Sequence, residues 1–267
     1  MKTYISLFRV RFLNGLQYRA AAFGGLMTQF FWGMMLIFVF TAFYQGSGDS
    51  GGFLYKDLVS YIWLQQAFLS LLFIYDWDTE LLDTIRTGGI SYELCRPVNL
   101  YTVWYVKLLA KRVARVMLRA VPVLAVAFCL PKPYNLSLPP DALAFALFLV
   151  TLFLGAFLVV ALSMLVYLSI FKTMSSSGSI GILGIIAEFF AGMTIPIPLM
   201  PVWLQNICML LPFRYTADLP LRVYSGSVGV GDAVIGIAVQ LAWLALLVPI
   251  GALIMKRITK LSVVHGG

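Results

Sequence analysis

From Ala142 to Phe171 the chain carries no charged side chain, and five further predominantly apolar stretches lie on either side of this run. A helix crosses the hydrocarbon core of a bilayer with about 20 consecutive apolar residues. In lipid every backbone N–H and C=O must be satisfied within the protein, which restricts spanning segments to helices and closed barrels. A run of this length therefore predicts a helix solvated by lipid. The composition agrees, with 61% hydrophobic and 11% charged residues, against about 25% charged in a soluble domain. The reading is an all-α integral membrane protein, one transmembrane domain over residues 1–267.

Six spans are expected, over about 20–44, 57–75, 113–130, 142–171, 180–194 and 233–255. The fourth is long enough to tilt, and a serine-rich link at 175–179 precedes the fifth. Residues 195–231 are apolar but hold Pro196, Pro198, Pro201, Pro212 and Pro220. Proline removes a backbone donor and breaks helices, so two short helices that dip into the membrane and return are expected there. Residues 1–19 read as an imperfect amphipathic helix at the membrane surface, with Ile5, Phe8, Phe12 and Leu16 on one face and Arg9 intruding. Their mixture of charges with apolar residues is not that of a cleavable leader.

The formal charge is +8. For a chain of this kind the cations belong to loops on the cytoplasmic side and to contact with anionic lipid, and no nucleic-acid partner is expected. With both termini inside, only Lys56, Lys132, Arg214 and Arg222 of the 19 Lys and Arg residues fall outside. That bias sets the orientation, and the expected location is a bacterial cytoplasmic membrane.

Several chemistries are not encoded. No lysine follows a glycine, so there is no Walker A loop, and HExxH does not occur. Gly48-Asp49-Ser50-Gly51-Gly52 has the GxSxG spacing but lies in the short turn after the first expected span rather than on a strand-to-helix elbow. The one histidine is His265, and Cys95, Cys129 and Cys208 are scattered, which argues against a metal site or a disulfide framework. No catalytic residue, metal or cofactor is expected on this chain. Membrane-embedded acids that would couple transport to an ion gradient are nearly absent, so the energy must come from a partner.

Four segments could carry a mechanism. The inside loop 76–112 opens with Asp76, Asp78 and Glu80, which suit a helix N-terminus, and Thr87, Gly88 and Gly89 end that helix. It reads equally as a dock for a cytoplasmic subunit or as a solvated connector. Lys111, Arg112, Arg115 and Arg119 crowd the inner end of the third span, and positions 112, 115 and 119 share a helical face. Snorkelling to lipid phosphate is the default reading, and attraction of an anionic head group is the sharper one. Glu188 falls near mid-span, with Gly181 and Gly184 at small-residue spacing. A lone carboxylate there belongs at a helix interface or along a translocation path. The fourth segment is the amphipathic 1–19 helix.

The whole chain resembles the permease subunits of ABC-2-type exporters. The resemblance rests on the amphipathic start, the six spans and the large first inside loop. It also rests on Gly88-Gly89-Ile90-Ser91-Tyr92-Glu93-Leu94-Cys95-Arg96-Pro97-Val98, similar to a Gly-x-x-x-x-x-Leu-x-Arg-Pro-Val stretch, and on Pro201-x-Trp203 and Pro212-Phe213 before the last span. The resemblance implies a coupling helix within 80–97 that sits on an ATPase subunit, with Glu80, Asp83, Arg86, Glu93, Arg96 and Pro97 as contacts. It implies a second permease, similar or identical, and a central route lined by spans two and five. ATP and Mg would be bound by the partner ATPase, and this chain would not be an enzyme. The alternatives are a scaffold or channel subunit without an ATPase, or a lipid-acting enzyme using Asp76, Asp78, Glu80 and Asp83.

Overall fold

The computed structural model describes residues 2–17, 19–47, 53–74, 77–173 and 176–265. Every element among them is helical. The helices are α1 (Lys2–Gln17), α2 (Arg19–Ser47), α3 (Tyr55–Ala67), α4 (Leu69–Leu72), α5 (Thr79–Arg86), α6 (Ile90–Leu94), α7 (Leu100–Cys129), α8 (Ala142–Thr173), α9 (Ser176–Phe190), α10 (Val202–Leu210), α11 (Asp218–Ser225) and α12 (Val230–His265). Three of them contain stretches long and apolar enough to cross a membrane alone: Gly24–Gln45, Ala142–Phe171 and Val230–Lys260. The other three expected spans fall on α3–α4, on the C-terminal half of α7 and on α9.

The third span differs most from expectation. Residues 100–112 are expected within the inside loop, yet α7 starts at Leu100 and continues unbroken to Cys129. Asn99 caps it, its Oδ1 accepting from the Thr102 N–H at 3.0 Å, which satisfies one of the orphan donors of the first turn. The connection between α4 and α7 is correspondingly shorter and is built around α5 and α6.

Burial follows from packing against α7 and α8. α3 is enclosed on all sides, with each residue from Asp57 to Ala67 buried. Within this chain it presents no open face, while Phe68 and Leu69 just beyond it are only partly covered. α9 does the opposite and exposes Ile182, Leu183, Ile185 and Ile186. α9 stops earlier than expected, at Phe190, because Gly192 adopts φ +76°. The Met193 N–H then reaches Glu188 O at 3.0 Å and the Gly192 N–H reaches Phe189 O at 3.1 Å, the paired bonds of a Schellman stop.

Between α9 and α12 lie a 3-10 turn at Ile197–Leu199, α10, a second 3-10 turn at Phe213–Tyr215, and α11. The two short helices expected from the prolines are present. Buried polar groups fasten this segment to the bundle. Tyr61 of α3 donates to Gly192 O at 3.0 Å, Gln65 donates to Met193 O, and Gln240 of α12 donates to Tyr215 O at 2.8 Å and Thr151 O at 2.9 Å.

Candidate functional site

The α5–α6 connection is an ordered platform. Asp78 caps α5, accepting from the Leu81 N–H at 3.1 Å. Glu80 in the first turn and Arg86 in the last complement the helix dipole. Leu81 and Ile85, four residues apart on one face, are buried with Ile90 of α6 against Leu100, Trp104 and Tyr167. Gly88, at φ +71°, makes the reversal between the two short helices, a backbone region that glycine enters without steric cost.

A chain of charges ties this platform to two other helices. Arg11 of α1 makes a two-pronged bond to Glu80, 2.5 Å to each oxygen, the planar fork geometry that favours arginine over lysine. Lys107 of α7 stands 3.7 Å from Glu80 and 2.8 Å from Glu93. Glu93 also accepts from Trp104 Nε1 at 2.5 Å. Beside this chain, Lys111 pairs with Asp78 at 2.6 Å, and the Asp78 N–H donates to the Tyr167 hydroxyl. The Arg11 bond is the chief reason the Glu80 carboxyl sits below its ordinary pKa, outweighing partial burial. Burial pushes Asp78 up, but the hydrogen bond and charge of Lys111 and the Leu81 N–H together hold it below its usual value.

The residues expected to contact a partner thus divide into two sets. Glu93 turns inward, while Glu80 stays half exposed; both are engaged by cations that brace the platform. Asp83, Arg86, Arg96 and Pro97 are exposed, and Tyr92, absent from the expected set, is 82% exposed. A cavity of about 130 Å³ lies between α1 and this loop, with Tyr4, Leu7, Glu93, Arg96, Val98 and Lys107 among its walls. Lys107 is the residue that sequence reading missed, because its acidic partners lie 14 and 27 positions away, outside any local pattern.

Packing engages three of the four cations expected to reach lipid phosphate. Lys111 is engaged by Asp78. Arg112 is 1% exposed and donates to Phe73 O at 2.6 Å and Ser163 Oγ at 3.2 Å. The Arg119 guanidinium lies against α2, so close that a Cβ added at Gly25 would sit 2.6 Å from it. Arg115 is half-buried. Arg112 and Arg119 look into the helix assembly because α1, α2 and α3 pack on α7. Asp76 lies outside the described residues.

Glu188 is half-buried on α9, and its Oε1 has no hydrogen-bond partner among the described residues. Gly184 is buried. Gly181 faces open space, with nothing within 4 Å of an added Cβ, so it makes no close helix contact with the described residues.

One further cluster was not foreseen. Asp218, fully buried, is met by Arg214 at 3.2 Å, Arg222 at 3.7 Å and the Tyr61 hydroxyl at 3.5 Å. The spacing 214, 218, 222 carried the signal, since residues four apart share a helical face.

The sequence profile of the ABC-2 family transporter proteins matches residues 30–260. The chain belongs to the ABC-2 transporter family. No curated protein matches it significantly. As an ABC-2 permease it is an integral membrane subunit of an ABC transporter, from a family that works with ABC ATPase subunits and is not itself the catalytic ATPase. The matched stretch contains the α5–α6 platform and the α9–α12 connection, and it begins inside α2, beyond α1.

Proposed function

We propose that this ABC-2 permease is half of the translocation route of an ATP-driven exporter, coupled to its ATPase subunit through the α5–α6 platform. The observation that carries the reading is the platform itself: two short helices, the first capped by Asp78, braced to α1 and α7, whose tip stands exposed. A solvated connector has no need of a two-pronged arginine bond and three ion pairs to hold its shape.

In this reading the chain crosses a bacterial cytoplasmic membrane six times with both termini inside. α10 and α11 enter the outer half of the membrane and return. A second permease, identical or similar, completes the route, and the exposed face of α9 with Glu188 lies along the route or the permease interface. ATP and Mg are bound by the partner ATPase. Arg115 and the exposed cations of α1, Lys2 and Arg9, contact anionic lipid head groups, to which each cation near the surface adds about 1 kcal/mol.

The test is recovery of the tagged chain in mild detergent, with mass spectrometry and an ATPase assay on what accompanies it. A Walker-containing ATPase whose activity falls on Arg96→Glu supports the reading. A chain recovered alone from several detergents would point to a scaffold or channel subunit instead. Glu188→Gln changes transport if the carboxylate lines the route, and leaves it unchanged if it serves packing alone.

A further inference from the structure

We infer that Tyr92 is the side chain by which the ATPase subunit holds this permease, and that the partner surface there is an apolar groove with an acidic edge facing Arg96. The inference rests on the docking reading above and names its anchor. α6 has five residues, and its inward face is taken by Ile90, 6% exposed, and by Glu93, held by Trp104 and Lys107. With positions three apart on one face turned inward, Ser91, Tyr92 and Cys95 point the other way, and all three are exposed.

The Tyr92 side chain has no ring neighbour and no hydrogen-bond partner among the described residues, and it is the most exposed of the large apolar side chains described. Tyrosine, tryptophan and arginine dominate the energetic centres of protein interfaces. The charge chain beneath makes the display rigid, which lowers the entropy cost of docking.

Charge complementarity indicates the chemistry of the partner. Arg11, Lys107 and Lys111 are each matched by Glu80, Glu93 or Asp78. Arg96, exposed beside Tyr92, has no acidic partner among the described residues, so a carboxylate on the ATPase is the group it can accept. Arg96 and Tyr92 together offer an aromatic anchor with a cationic flank, whereas the carboxylates of Glu80 and Glu93 are already taken by Arg11 and Lys107.

The experiment uses the permease with its ATPase in native membranes, in a Cys129→Ser background. Cys208 is buried, so Cys95 is then the exposed thiol to be followed. ATPase retained per permease is measured in mild detergent, and labelling of Cys95 by a hydrophilic maleimide is measured in inside-out vesicles. Tyr92→Ala lowers retention about tenfold or more, the effect of losing one interface hot spot, and exposes Cys95 to label. Tyr92→Phe retains the ATPase, and Glu93→Gln, which keeps an acceptor for Trp104, retains it within about threefold of wild type.

Full retention by a Tyr92→Ala chain with an unchanged gel-filtration profile would overturn the anchor and leave the docking reading standing. Wild-type permease that retains no ATPase would remove the docking reading itself. Cys95 shielded equally in membranes stripped of ATPase would put lipid over this face and overturn the inference. Release by Glu93→Gln as complete as by Tyr92→Ala would also overturn it, by erasing the division between brace and anchor.

Discussion

Removing Glu93 should destabilise the permease out of proportion to its place on a five-residue helix. Its carboxylate accepts from Lys107 at 2.8 Å, with the two side chains 17% and 10% exposed. A hydrogen bond to a charged group is worth about 1.5–3 kcal/mol. The same carboxylate is the acceptor for Nε1 of Trp104, which is 0% exposed. Truncation strands that donor at a further cost of about 1–3 kcal/mol. Glu93→Ala should therefore cost about 2.5–6 kcal/mol, and Glu93→Gln less, because the amide oxygen still accepts from Trp104. For a chain of this size about 1 kcal/mol moves the melting midpoint by roughly 2–4 °C, so Glu93→Ala should melt about 10 °C lower. The assay is thermal exposure of Cys208 to a thiol-reactive dye in micelles, with Cys95 and Cys129 replaced by serine, since Cys208 is buried and the other two are exposed. A cycle with Glu93→Gln, Lys107→Met and the double variant should give a coupling energy of about 1.5–3 kcal/mol. A coupling below about 0.5 kcal/mol would mean the two residues act independently, and the charge chain would not brace the platform.

Further outcomes are expected. Asp218→Ala leaves Arg214 and Arg222 facing one another without their shared buried carboxylate and should cost about 3–5 kcal/mol in the same melt. Tyr61→Phe, which loses the bond to Gly192 O, should cost only about 0.6–1.7 kcal/mol. Gly155→Ala sets a Cβ 2.5 Å from the Thr216 carbonyl oxygen, where backbone must yield, and should destabilise by about 1–3 kcal/mol. Gly24→Ala meets nothing within 4 Å and should be tolerated. The Glu80 carboxyl is held below its ordinary value of 4.5, so its bond to Arg11 contributes fully above pH 4.5. That contribution is lost as the pH falls through the lower folded value. A fluorophore on α1 should report its release in acid, and Arg11→Gln should leave α1 loose at neutral pH with no acid step.

The long apolar helices were legible because nothing but lipid-solvated helix suits a run such as 142–171, and the observed α8 ends within two residues of it. The short helix pair of the loop was also legible, since Asp78 and Gly88 are local signals that act within a turn of where they stand. The start of α7 was not. Lys107, Lys111 and Arg112 look like loop residues until Glu80, Glu93, Asp78 and the Phe73 carbonyl are brought against them by packing. The same non-local pairing turned Glu93 from an expected partner contact into a brace and concealed the role of Lys107. Asp218 was missed for a related reason. Arg214 and Arg222 entered the sequence argument only as charges that set orientation, although their four-residue spacing about an acid was in plain view.

The central claim is that an ATPase subunit sits on the α5–α6 platform. Photocross-linking tests it without presuming which residues touch. The ATPase is labelled with a diazirine reagent, assembled with the permease and irradiated, and the modified permease residues are mapped by mass spectrometry. The account predicts modification concentrated at 83–97, with Tyr92 and Arg96 prominent and the 197–226 segment clean. Modification centred elsewhere on the permease, with 83–97 untouched, would contradict it.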